Sequence, residues 1–279
     1  IAVSEIPPVT MALIRFAIAS GLLLLLLNKI EPEAKIDARD IPRLVLGGIL
    51  GITLYFYCEN IGVKLSTAVN ASLIVSTVPI IAISLDVLFF HGRVSGLKIL
   101  GIGLAVIGTY LAVTANGKLE LNSGNFLGNM LMVGAMLSWS FYTLINKSLQ
   151  EKYTGVFLTT WQTVFGTLCL IPLSLVEYKE WGWFSLTAFG NVLFLAVCCS
   201  VGGYILYLYG LRRLDVAVTT LYMNLIPVVG VVSGYLILNE RVLPIQIGGG
   251  LLTIIAIIIV NSEQTGKPVK TGLPKQVNS

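Results

Sequence analysis

PVTMALIRFAIASGLLLLLL, residues 8–27, carries a single charge, Arg15, and closes on six consecutive leucines. A helix rises about 1.5 Å per residue, so twenty such residues cover roughly the 30 Å of a hydrocarbon core. Eight further stretches have the same character: roughly 43–63, 68–90, 94–114, 125–146, 155–176, 186–211, 216–238 and 242–261. The connections between them are short and polar, which leaves no length for a soluble domain. Composition agrees: 56% of the 279 residues are hydrophobic, 11% are charged, and the mean hydropathy is +0.87. A soluble domain carries about 25% charged residues. The fold class is all-α transmembrane.

The chain repeats itself. A shift of 148 residues lays 62–110 on 210–258 without a gap, so that Gly62 meets Gly210, Pro79 meets Pro227, Arg93 meets Arg241 and Gly101 meets Gly249. A shift of 147 lays 8–26 on 155–173, with Arg15 opposite Gln162. The second copy has one more span in front, 125–146, whose counterpart would precede Ile1. The expectation is an inverted repeat of five-helix bundles, ten spans in all, with nine in this chain. Its parts are 1–115, a first repeat lacking its first helix; 124–262, a second repeat; and 263–279, a polar cytoplasmic tail. With five spans per copy the second copy enters the membrane upside down, an arrangement common in secondary transporters.

Basic residues set the orientation. One face gathers Lys29, Lys35, Arg39, Arg43, Arg93, Lys98, Lys147, Lys152, Arg212, Arg213, Lys267, Lys270 and Lys275; the other has Lys64, Lys118, Lys179 and Arg241. Thirteen against four places the C-terminus in the cytoplasm and explains the net charge of +4 without a nucleic-acid partner. Tyr178, Trp181, Trp183 and Phe184 suit the outer aromatic belt. Cys58, Cys169, Cys198 and Cys199 fall inside apolar spans and read as small hydrophobes. With His91 as the single histidine, no metal site and no cofactor is expected.

The stretches IPPVTMALIRFAIAS, ENIGVKLSTAVNASLIVSTVPIIAI and LYMNLIPVVGVVSGYLILNERVLPIQIGGGLLTIIAIIIV resemble the EamA-like family of the drug/metabolite transporter superfamily, and the resemblance covers nearly the whole chain. It implies ten helices in two inverted repeats and the carriage of amino acids or related small metabolites, usually outward. It also implies a cavity lined by the third, fourth, sixth, eighth and ninth helices of ten. One departure is Gly92, which stands where the family often has the glutamate seen at Glu240.

Several residues could carry the work. Arg15 lies about 10 Å and Glu59 about 8 Å inside the same outer boundary, counted at 1.5 Å per residue. An ionised group at mid-bilayer costs about 2.5–3.5 kcal/mol, so each needs a partner or water. Either the two form a fixed ion pair between neighbouring spans, or Glu59 faces a cavity and exchanges protons or meets a substrate amine. Pro79 and Pro227 occupy corresponding mid-span positions and free the carbonyls of Val75 and Met223, beside Ser76 and Asn224. Weakened backbone with polar side chains at the midplane is where transporters commonly bind substrate; a packing kink is the plainer reading. On the helices that resemble the cavity wall stand Tyr57, Asn60, Asn70, Trp139, Tyr142, Tyr204, Tyr207 and Tyr222, each otherwise a packing residue. The glycines Gly101, Gly103 and Gly248–Gly250 belong to close helix packing, since helices and not a strand precede them.

The sequence thus predicts a transporter in the cytoplasmic membrane, moving amino acids or related small molecules outward in exchange with protons. Multidrug export, import, or flipping of a lipid-linked sugar are rival transport readings. An intramembrane enzyme needs a nucleophile–base pair or clustered acids, and no such constellation is visible. A receptor would have no evident use for an inverted repeat.

Overall fold

A computed structural model of the chain describes residues 5–66, 68–90, 94–114, 126–238 and 243–262. His91, Gly92, Arg93, Glu240, Arg241 and the tail 263–279 lie outside the described residues. Every regular element described is helical: α1 Pro8–Ile30, α2 Ile41–Gly48, α3 Tyr55–Leu65, α4 Ala68–Ser76, α5 Val78–Phe90, α6 Gly96–Thr114, α7 Phe126–Leu149, α8 Gly155–Ser174, α9 Leu186–Phe194, α10 Tyr204–Arg213, α11 Val216–Leu221, α12 Leu225–Leu238 and α13 Pro244–Ser262. Among the described residues, eight helical runs are long and apolar enough to cross a membrane, and the shorter apolar helix α6 fills the ninth expected place.

Helix starts follow local chemistry. Pro8 opens α1, where its fixed φ suits a first turn and its missing N–H removes nothing. Thr154, Ser185 and Asp215 accept from the backbone N–H of Phe157, Ala188 and Val218, capping α8, α9 and α11. Such a cap is worth about 1 kcal/mol.

Two spans contain π-helical turns: Ile49–Leu54 joins α2 to α3, and Leu195–Gly203 joins α9 to α10. They occupy corresponding places under the 148-residue shift. Segments of this kind frequently mark functional sites. Two other spans are broken. A turn at Thr77 separates α4 from α5, and a 3₁₀ turn, Tyr222–Asn224, separates α11 from α12. The prolines therefore stand in the first turns of new helices, where a proline does not disrupt hydrogen bonding. At the first break the hydroxyls of Ser76 and Thr77 donate to the carbonyls of Leu73 and Ile74, at 2.7 and 2.6 Å.

The helices group into two compact units. The first comprises the described parts of 1–60 and 145–212. Its axis is α1 against α8, which run antiparallel: Glu177 accepts from the N–H of Val9 and Thr10, Ser20 Oγ pairs with Thr167 Oγ1 at 3.1 Å, and Thr154 donates to Glu31. Ser20 and Thr167 are the positions that the 147-residue shift superposes. Beside them Gly48 and Gly166 let α2 approach α8. A Cβ on Gly48 would stand 2.5 Å from the Gln162 carbonyl oxygen, and one on Gly166 would stand 2.7 Å from that of Gly48.

At one end of this unit Lys152 donates to Asp37 and Asp40, both at 2.6 Å, and Tyr153 Oη donates to Asp40 at 2.8 Å. The Lys152 hydrogen bond, helped by the Arg39 N–H, holds the Asp37 carboxyl below its usual 3.8. The same carboxylates raise Lys152 above its usual 10.5. A depressed acid stabilises the fold above its unfolded pKa and loses that contribution as pH falls through the folded value. A raised amine does so below its unfolded pKa and loses it as pH rises. Backbone hydrogen exchange over Ala38–Asp40 should therefore be slowest between about pH 4 and 10, after correction for intrinsic rates. Lys152→Ala should remove the acid-side dependence; an unchanged profile in that variant would show the latch to be inert.

The second unit comprises the described parts of 61–144 and 213–270. Here α6 and α13 run antiparallel at close range. Gly101 faces Val260 and Ala256, Gly108 faces Gly249 and Thr253, and Gln246 Nε2 reaches the carbonyl of Ala112 at 3.3 Å. Ile102, Ala105, Val218, Leu221, Ala256, Ile257 and Val260 form one buried cluster there. Lipid tails are as apolar as leucine, so small residues that admit close contact, and not burial itself, hold such helices together. Gly101, Gly108 and Gly249 fill that role; a Cβ at Gly103 or Gly248 would meet nothing within 4 Å. The expectation that all the paired glycines pack is corrected accordingly. The two broken spans meet as well, with α11 against α5 and α4 against the turn Tyr222–Asn224. Lys98, 5% exposed, forms an ion pair with Asp215, the residue that caps α11.

Candidate functional site

The first unit assembles a charged site around the π-helical turns. Arg15 is 9% exposed on α1. Its Nε donates to Ser200 Oγ at 2.7 Å, and its guanidinium lies over the rings of Phe16 and Phe56, 5.1 and 4.8 Å from their centroids. Phe16 is braced edge-on by Phe56 at 4.8 Å and by Tyr204 at 6.2 Å. Tyr204 is itself fixed, since its hydroxyl donates to the Gly51 carbonyl at 2.7 Å. That carbonyl belongs to one π-helical turn and Ser200 to the other. Each turn thus supplies one partner, Gly51 to Tyr204 of α10 and Ser200 to Arg15 of α1.

Glu59, on α3, is half-buried and accepts from Tyr55 Oη at 3.3 Å. Among the described residues it forms no ion pair with Arg15. Similar depth on consecutive spans therefore does not produce the contact, because Ser200 and the two phenylalanines hold the guanidinium instead. Tyr57 is exposed, Tyr207 half-buried, and Asn60 donates to the Pro8 carbonyl at 3.1 Å, tying α3 to the start of α1. Gln162, the counterpart of Arg15, is 1% exposed against Gly47, and its side-chain amide makes no hydrogen bond to any described residue.

The second unit holds the remaining sequence-predicted residues. Asn70 and Ser76 are buried, and Ser76 uses its hydroxyl on the backbone. Trp139 and Tyr142 stack obliquely at 5.2 Å, with Tyr142 fully buried. Tyr222 is exposed, while Asn224, in the turn before Pro227, is fully buried with neither amide atom hydrogen-bonded to a described residue. An unpaired buried polar group costs about 1–3 kcal/mol.

Sequence reasoning missed Ser200, Phe16 and Phe56. The one available signal was a serine in the otherwise apolar run LAVCCSVGG. All four cysteines are free thiols.

A protein of Archaeoglobus fulgidus named as an uncharacterized transporter is 28% identical over 91% of this chain and 88% of its own length. A protein of Streptantibioticus cattleyicolor named "Probable terminal-alkyne amino-acid exporter" is 25% identical over 85% of this chain and 78% of its own. A solved crystal structure superposes with a TM-score of 0.80 over 93% of this chain and 90% of that one, at 14% identity, and so shares the fold. The EamA-like transporter family matches residues 1–114 and 126–262. With that match over nearly the whole chain, this multi-pass membrane protein belongs to the EamA-like transporter family.

Proposed function

We propose that the chain is a secondary transporter of the cytoplasmic membrane that exports amino acids or related small metabolites in exchange for protons, with Glu59 as the proton carrier. The carrying observation is that Glu59 sits within a membrane-spanning run with one hydroxyl donor and no ion pair among the described residues. A carboxylate locked to a guanidinium would have little freedom to change its charge; this one can be neutralised by a proton. The class of solute draws support from the relative named as an amino-acid exporter.

The two halves act as inverted repeats, with the C-terminus in the cytoplasm. Two pairs of repeat-related helices, α1 with α8 and α6 with α13, each run antiparallel within their own unit, as a two-fold axis in the membrane plane requires. The broken spans and the buried amides of Asn70 and Asn224 supply weakened backbone and polar groups of the kind that transporters use for substrate.

Glu59→Gln tests the reading. Glutamine keeps an acceptor for Tyr55 but cannot carry a proton, so the variant should fold. In proteoliposomes a pH gradient should drive accumulation of a radiolabelled amino-acid mixture by the wild type and not by the variant, while exchange at equal pH persists. A well-folded Glu59→Gln protein that still concentrates solute under a pH gradient ends the coupling role.

A further inference from the structure

The geometry points to Arg15 as the anchor for a solute carboxylate, gripped through the outer edge of its guanidinium. A guanidinium has five N–H donors in a planar fork. The Nε donor is taken by Ser200, and Phe16 and Phe56 occupy ring-stacking positions at 5.1 and 4.8 Å. The two terminal nitrogens make no hydrogen bond to any described residue, although Arg15 is only 9% exposed. What remains open is the edge that binds carboxylates bidentately.

A buried cation in a membrane span is costly unless something neutralises it. Glu59 does not occupy the fork. Ser200 and the aromatic brace, tied through Tyr204 to Gly51, preset the orientation, so little side-chain freedom is lost when an anion arrives. A purely structural arginine would spend its terminal donors on carbonyls or a carboxylate; this one leaves them available. The fork recognises a carboxylate and not an amine, so the solute class is a carboxylic acid, amino acids included. This rests on the reading that the chain carries amino-acid-like solutes, but not on proton coupling.

The test is equilibrium binding at fixed pH, without a gradient, to the full chain purified in detergent and read as thermal stabilisation. Each common L-amino acid is screened, and the strongest binder is compared with its own carboxamide, which lacks the carboxylate. The wild type should prefer the acid by about 10- to 100-fold, the range of a hydrogen bond to a charged group. Arg15→Leu should bind acid and amide alike. Arg15→Lys, which retains the charge without the fork, should keep only part of the preference, and it decides the matter if the leucine variant does not fold.

Equal binding of acid and amide by the wild type, or an undiminished preference in Arg15→Leu or Arg15→Lys, overturns the anchor and leaves the transport reading standing. Failure of any amino acid to bind the wild type overturns the anchor together with the amino-acid reading.

Discussion

Gly249→Leu is expected to yield a chain that no longer survives purification in detergent as a monodisperse, heat-resistant species. An added Cβ would lie 2.5 Å from the Ala112 nitrogen, 2.5 Å from the Gly108 carbonyl oxygen and 2.9 Å from the Leu111 carbonyl carbon. All three are backbone atoms of α6, so no rotamer change relieves the clash and the two helices must separate. Separation forfeits the contacts of Ala105, Ala256 and Val260, which are fully buried in that seam. Overfilling a packed interior by a few methylenes costs about 1–3 kcal/mol. Leucine adds four carbons against rigid backbone, so the loss should reach at least the upper end of that range.

Gly103→Leu and Gly248→Leu are the controls: they lie on the same two helices, with nothing within 4 Å of an added Cβ. Both should melt like the wild type by size-exclusion after a heat ramp. If Gly249→Leu melts with them, α6 and α13 do not meet as described.

The second large effect belongs to Lys98 and Asp215. Asp215→Asn keeps the cap on α11, because asparagine caps as well as aspartate, but it removes the partner of an amine whose side chain is 6% exposed. Breaking a buried pair from one side costs about 3–5 kcal/mol. With the Asp215 side chain 37% exposed, the lower end is expected, seen as a drop of several degrees in the melting temperature. Adding Lys98→Met removes the stranded charge while preserving the aliphatic stem, and the double variant should regain most of the loss. A single Asp215→Asn chain with wild-type melting would mean that Lys98 finds water without its partner.

Lys98 also illustrates where reading by class falls short. Among the basic residues of one face it counted simply as a topology signal, and nothing in its neighbourhood of sequence distinguishes it from Lys147 or Arg93. Its partner is 117 residues away. The prolines show a milder version. Pro79 and Pro227 lie just after the broken places of their spans, each break falling before its proline, and at the first the hydroxyls of Ser76 and Thr77 meet the carbonyls of Leu73 and Ile74. The site residues divide in the same way. Arg15 and Glu59 were conspicuous because a charge in an apolar run is expensive, whereas Ser200, Phe16 and Phe56 looked like ordinary members of their helices.

What the amino-acid sequence determined by itself was the helical, membrane-spanning character of these runs and roughly where they begin and end. Hydrocarbon thickness sets span length, and proline and hydroxyl or carboxylate caps set the starts; both act within a turn or two of the residues concerned. What only the tertiary structure decided was the rotation of each helix about its axis, and with it which polar groups meet. A span that is apolar on all sides has no preferred face toward lipid, so hydropathy cannot orient it. The orientation comes from close approaches such as Gly108 to Gly249 and Gly48 to Gly166. Within the first unit Arg15 meets Ser200, and Glu59 is left outside ion-pair contact with it.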